Sequence, residues 1–130
     1  MKSKRILYAE SHADSGRLLT ALLKLEGFTV VVAPTVDLAV ECAGKEKFDL
    51  FLLAGRFPDG DGVEICRRIR LTDTVTPVIC YFAADLPRIQ AECFAAGAQE
   101  FLSKPKEFPV ILNRIAYWLA RRAKGENIFC

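Results

Sequence analysis

The side chains with chemistry to offer gather at four points of the 130-residue chain. Glu10-Ser11-His12 brings a carboxylate, a hydroxyl and the only imidazole, and Ala54 to Asp61 brings Arg56, Asp59 and Asp61. Phe82-Ala83-Ala84 brings no ionisable group, and Lys104-Pro105 brings an amine. A histidine can carry a phosphoryl group or ligate a metal. His12 has no Cys or His companion, however, and reads better as a helix cap or a solvent-facing residue. A glycine-rich phosphate cradle is missing, because Glu10-Ser11-His12-Ala13 contains no glycine. The five cysteines, Cys42, Cys66, Cys80, Cys93 and Cys130, are odd in number and widely spaced, with no C-x-x-C pair. That argues against a zinc site and a disulfide framework. Cys80 and Cys93 sit in apolar stretches and read as small buried hydrophobes.

Each of the four points closes a short apolar run, which is what fixes its position. Ile6 to Ala9, Phe28 to Ala33, Asp49 to Leu53, Pro77 to Phe82 and Glu100 to Ser103 read as strands, the inner ones covered on both faces. Between them lie amphipathic helical patterns. Leu18, Leu19, Leu22, Leu23 and Leu25 stop at Gly27, and Thr35 caps a second helix carrying Val36, Ala39 and Val40. Asp61 caps a third with Val63, Ile65, Cys66 and Ile69. Asp85 opens a fourth that ends at Ala96-Gly97, and a fifth runs from about Glu107 to Ala123. The stretch from Gly55 to Gly62, with Pro58 and three glycines, reads as a loop. Arg67, Arg68 and Arg70 read as a solvated face of the third helix.

Five strands alternating with five helices require crossover connections, a parallel sheet and helices on both faces. In such sheets function collects outside the carboxyl ends of the strands. The expectation is one domain over residues 1–123 with a C-terminal tail at 124–130. With 52% hydrophobic residues, 26% charged residues and a net charge of +2, the chain is neither disordered nor coated for nucleic acid. It carries no signal-peptide pattern and no apolar run long enough to span a bilayer, so a cytoplasmic, membrane-free setting is expected.

From Arg5 to Arg122 the sequence resembles the receiver domain of bacterial two-component response regulators. The strand ends, Phe57-Pro58 with Asp61-Gly62 downstream, Pro77-Val78-Ile79, and Gly97-Ala98 leading to Lys104-Pro105 carry the likeness jointly. The resemblance implies a flavodoxin-like (βα)5 three-layer α/β sandwich, doubly wound, with strand order 2-1-3-4-5. Active members hold Mg²⁺ on two acids after the first strand and phosphorylate an aspartate after the third. A Ser or Thr ends the fourth strand and a Lys ends the fifth. A carboxylate nucleophile needs the metal to neutralise phosphate charge and the lysine to stabilise the acyl phosphate.

Residue by residue, Glu10 matches the first acid, Ser11 stands where the second is usual, Ala54 takes the phosphoacceptor position, and Phe82 replaces the hydroxyl residue. Only Lys104 matches fully. The resemblance thus implies a degenerate pocket of Glu10, Ser11, Ala54, Arg56, Phe82 and Lys104, with weak or absent Mg²⁺ binding and no cofactor. It implies a pseudo-receiver that is not an enzyme and acts as a phosphorylation-independent interaction module. The alternative is an active phosphoacceptor in a phosphorelay that uses a residue such as Asp59. Lys104 and Arg56 are expected to pair with Glu10 in place of the metal. Phe101 stands at the position of the family's switch aromatic and reads as fixed or simply core. The Lys104-Pro105 bond is expected to be cis.

A second stripe on the last helix, Val110, Arg114, Tyr117 and Arg121, joins Arg88 and Phe94 of the fourth helix. This is the face of fourth helix, fifth strand and fifth helix that mediates partner contact in the family. It is expected to take a protein partner or output domain, with a homodimer as one option and no nucleic acid bound by the domain itself.

Overall fold

The computed structural model describes residues 3–123. Its central sheet is parallel and built from β1 (Arg5–Ala9), β2 (Thr29–Ala33), β3 (Leu50–Leu53), β6 (Val78–Phe82) and β7 (Glu100–Ser103), in the order β2-β1-β3-β6-β7. For the five principal strands this is the expected order 2-1-3-4-5. The remaining strands, β4 (Arg56–Phe57) and β5 (Gly60–Asp61), pair antiparallel as a short hairpin inside the segment expected to be a plain loop. Pro58 and Asp59 turn it.

Alternation of side chains along the strands divides the core in two. Leu7 and Ala9, with Phe51, Leu53 and Cys80, face α2 (Val36–Lys45), α3 (Gly62–Ile69) and α4 (Pro87–Ala96). Ile6 and Tyr8, with Leu50, Leu52, Ile79 and Tyr81, face α1 (Ala13–Leu25) and α5 (Phe108–Ala123). Cys66, Cys80 and Cys93 are fully buried free thiols, and burial pushes the Cys66 thiol up to about 11. Cys130 and the 124–130 tail lie outside the described residues.

Helix starts follow the sequence signals with one exception. Thr35 and Asp61 accept the N–H groups of Leu38 and Glu64, at 3.1 and 2.8 Å, as caps. Asp85 does not cap α4. Leu86 occupies that position without a side-chain hydrogen bond, Pro87 begins the helix, and the Asp85 carboxylate instead accepts from the Gln90 amide. α4 ends on Gly97, whose φ of 112° favours glycine. Arg70 is not part of a solvated face. Its guanidinium folds back and donates to the carbonyls of Gly97 and Asp73 and to the Gln99 side chain, tying the end of α3 to the turn before β7.

The ladders continue one residue past three strand ends. The N–H of Glu10 donates to Ala33 O (3.0 Å), that of Ala54 to Ala9 O (2.9 Å), and that of Lys104 to Phe82 O (2.7 Å). Residues 10, 54, 82 and 104 are thereby set at one edge of the sheet by backbone hydrogen bonds alone.

Candidate functional site

At that edge lies a cleft of about 550 Å³ lined by Glu10, Ser11, His12, Ala54, Arg56, Phe82 and Lys104, among others. Its buried charge is Glu10, whose side chain is 3% exposed. Burial of a carboxylate is costly unless it is paired and hydrogen-bonded. Here Oε1 receives the Lys104 ammonium in an ion pair and the Tyr8 hydroxyl at 3.2 Å, while Oε2 accepts the His12 N–H at 3.2 Å. Burial first, and the Glu10 carboxylate second, push the Tyr8 phenol far above its ordinary value, so it stays a donor. The Lys104 ammonium also sits 5.2 Å from the centre of the Tyr81 ring. The bond between Lys104 and Pro105 is cis.

Of the two cations expected to meet Glu10, only Lys104 does. The Arg56 side chain is exposed on the β4–β5 hairpin and makes no ion pair with Glu10. Its backbone carbonyl is what enters the site, accepting the Ser11 hydroxyl at 2.8 Å. His12 caps α1, its Nδ1 accepting the Ser15 N–H at 3.2 Å.

Ala54 is buried at the end of β3 and presents only a methyl group. The space beside it is taken by the Phe82 ring, wedged between two glycines. A Cβ on Gly55 would stand 3.0 Å from the ring, and one on Gly62 would stand 2.8 Å from it and 2.1 Å from the Ala54 carbonyl oxygen. Phe101, half-buried, packs edge-on against Phe82 with centroids 5.4 Å apart, as part of the core.

Asp59 faces away from this cleft. Its carboxylate accepts the N–H groups of Val36 (2.8 Å) and Asp37 (3.1 Å) at the start of α2. The Val36 hydrogen bond, supported by Asp37, holds it below the ordinary carboxylate range. A lowered carboxyl supports the fold above the unfolded value near 3.8 and loses that support as pH falls through the native value. Asp59→Asn should therefore show a shallower loss of stability below about pH 4. Carbon-detected carboxyl titration should place the Asp59 midpoint below 3.8.

On the opposite flank, Phe94, Val110 and Tyr117 are 49%, 42% and 41% exposed, and Arg88 is exposed with them. Arg114 lies 4.5 Å over Tyr117 and is anchored by Glu100 at 2.8 Å, a carboxylate that also accepts the Trp118 indole N–H at 2.8 Å. Arg121 stacks on Tyr117 as well, 5.4 Å from its centre. The sequence stripe is thus a laminated basic–aromatic surface. Glu100, which holds it, carried no signal in the sequence because its partners lie 14 and 18 residues downstream.

Among the described residues, no group of three or more His, Cys, Asp or Glu side chains is placed to hold a metal ion. None of the described helices is long and apolar enough to cross a membrane.

Comparison with known proteins returns a family model described as "Response regulator receiver domain", matching residues 6–116. Among curated proteins, the chain is 31% identical over 129 residues to the uncharacterized transcriptional regulatory protein YkoG of Bacillus subtilis, covering 98% of this chain and 57% of that protein. It is 27% identical to the cell cycle transcriptional regulator CtrA of Caulobacter vibrioides, covering 93% and 52%. The chain thus spans about half the length of these relatives. Among solved structures, the CheY-like response regulator receiver domain protein of Methanospirillum hungatei superposes with a TM-score of 0.92 at 23% identity, covering 95% of this chain and 98% of that one. The receiver domain of sensor histidine kinase PA1611 from Pseudomonas aeruginosa, solved with a magnesium ion coordinated in its active-site cleft, gives 0.84 at 25% identity, covering 91% and 98%.

Proposed function

Because the chain belongs to the response regulator receiver domain family, we propose that it is a receiver that signals through protein contact without accepting a phosphoryl group. The observation that carries this reading is the end of β3, where Ala54 offers no oxygen and the Phe82 ring occupies the adjoining space. Alanine cannot form an acyl phosphate. Among the described residues no carboxylate replaces it, because Asp59 is engaged with the backbone of α2 and Asp61 caps α3. The domain therefore performs no phosphoryl transfer of its own.

The magnesium ion that the family implies does not fit the donors present. A hard dication requires several free oxygens. Both Glu10 oxygens already accept hydrogen bonds, one of them from an internal cation. The Ser11 hydroxyl, which donates to the Arg56 carbonyl, is neutral and brings no negative charge, and residue 54 has nothing to add. Lys104 supplies the positive charge that the carboxylate needs.

With Phe82 and Phe101 in mutual contact, the receiver surface is held in one arrangement. Its output face is α4, β7 and α5, where Phe94, Val110, Tyr117 and the stacked arginines suit a protein partner or a covalently linked output domain, with a second copy of the domain as another fit. The two curated relatives, YkoG and CtrA, are transcriptional regulators about twice as long. For the residues in hand the reading is one of contact with protein, not with nucleic acid.

Incubation with acetyl phosphate and Mg²⁺, followed by intact-mass measurement, should leave the protein mass unchanged. A Mg²⁺-dependent gain of one phosphoryl group would overturn the reading. The combined substitution Ser11→Asp, Ala54→Asp and Phe82→Thr restores the missing groups and should gain that mass under the same conditions.

A further inference from the structure

β2 is the outermost strand of the central sheet, paired with β1 on one side and, among the described residues, with no strand on the other. Its ladder with β1 decides which of its backbone groups are used. The Thr29 N–H donates to Lys4 O at 2.9 Å, and the Ala33 carbonyl accepts the Glu10 N–H at 3.0 Å. Alternate residues of a strand turn their N–H and C=O to opposite sides, so Thr29, Val31 and Ala33 face β1. Val30 and Val32 therefore each direct an N–H and a C=O away from the sheet. Among the described residues none of these four groups has a hydrogen-bond partner.

An open edge is ordinarily blunted by a charge, a proline or a bulge. β7, the opposite edge, carries Glu100, on which Arg114 and Trp118 of α5 converge. β2 reads Thr-Val-Val-Val-Ala, keeps unbroken register with β1 throughout, and leaves Val32 42% exposed. The helix beside it extends this apolar border. Asp37 of α2 reaches Arg68 of α3, which sets that flank of α2 against α3. At 100° per residue, Leu38 and Cys42 fall on the other flank, over the β2 edge, and Leu38 is 43% exposed.

We propose that two copies of this chain pair antiparallel through β2, about a two-fold axis at Val31. The free groups select that register. Residues of an antiparallel ladder that face each other exchange two hydrogen bonds. Setting Val30 opposite Val32 of the partner subunit, and Val32 opposite the partner subunit's Val30, employs every outward group of both edges. A slide by two residues would need the Phe28 N–H, which Leu23 O already holds at 3.2 Å, or an N–H from Pro34, which has none. A foreign strand could meet the same ladder but would leave Leu38 and Cys42 uncovered. The two-fold axis instead brings the same flank of a second α2 against them. One strand edge and one helix flank make a small interface, so the dimer is reversible, with a Kd of about 10–100 μM. It leaves the α4–β7–α5 face and the Ala54 cleft open, and it stands or falls independently of the phosphodonor result.

The test is sedimentation velocity of the full chain from about 5 μM to 1 mM, with amide hydrogen exchange at both limits. A monomer–dimer equilibrium is expected. The Val30 and Val32 amides should exchange about tenfold more slowly in the dimer, while the Val31 amide, held by β1, is protected at both concentrations. Val32→Lys puts a charge on the exposed edge and should leave a folded monomer. Leu38→Lys, outside the strand, should weaken association about tenfold. A chain still monomeric at the upper limit would overturn the proposal. So would a dimer that both variants leave intact, or one in which Val30 and Val32 exchange as fast as in the monomer.

Discussion

Replacing Lys104 by methionine should lower the unfolding free energy by about 3 kcal/mol, and adding Glu10→Gln to that variant should return most of the loss. The asymmetry comes from where the two charges sit. The Glu10 side chain is 3% exposed and the Lys104 side chain 22% exposed, so removing the lysine leaves a buried carboxylate with only Tyr8 and one backbone N–H to stabilise it. Removing both charges leaves a neutral amide that still accepts from Tyr8 and a methionine that still fills the space under the cis peptide. A double-mutant cycle in guanidinium chloride measures the coupling. If Lys104→Met cost the same in the Glu10→Gln background as in the unaltered chain, the pair would not be the arrangement that offsets the buried charge. Added Mg²⁺ should not rescue the single variant's stability by more than general ionic strength does.

Gly62→Ala is expected to destabilise the fold by about 3–4 kcal/mol, beyond the ordinary cost of crowding a core. The added methyl would lie 2.1 Å from the Ala54 carbonyl oxygen, and that oxygen belongs to the backbone joining β3 to the hairpin, so no rotamer change relieves it. The Gly62 N–H also donates to the Gly55 carbonyl at 3.0 Å, which keeps the two segments from separating without losing a hydrogen bond. Gly44→Ala is the control. It lies within α2 with nothing within 4 Å of the new methyl, and should be neutral or stabilising by about 0.5–1 kcal/mol. Placing Phe82→Ala beside Gly62→Ala should recover only part of the loss, because it removes the ring contact and leaves the carbonyl contact. Full recovery would mean that the ring alone enforces glycine at position 62.

Much of this architecture was legible because it depends on local signals. Apolar runs such as Leu50–Leu53 and caps such as Thr35 and Asp61 act within three or four residues of themselves, and strand order followed from family likeness. The Glu10–Lys104 pair was legible through the family likeness and not through adjacency, since β3 and β6 lie between β1 and β7 and the two side chains meet by reaching across the ends of those strands. What escaped the sequence depends on competition between distant groups. Arg56 looked as well placed as Lys104, but its direction is set by the pairing of Arg56 with Asp61 in a hairpin only two residues long on each side. Asp85 looked a better cap than Leu86, but Pro87 fixes where the helix begins and the carboxylate finds Gln90 instead. Arg70 looked solvated because its acceptors, Gly97 and Gln99, lie 27 and 29 residues away.

The seating of Phe82 between Gly55 and Gly62 also bears on how a phosphoacceptor could be introduced. A single change from alanine to aspartate at position 54 would bring a charge into space that the Phe82 ring already borders, where part of its desolvation goes unpaid. Shrinking residue 82 first would open that space before any charge arrives, and a neighbouring acid at position 11 would then have a metal to share. On the reading proposed above, a route to a phosphorylatable domain therefore has an order, in which the silent step comes first and the step that brings activity comes last. Selection for the activity cannot act on the silent step, so the wedged ring works as a ratchet.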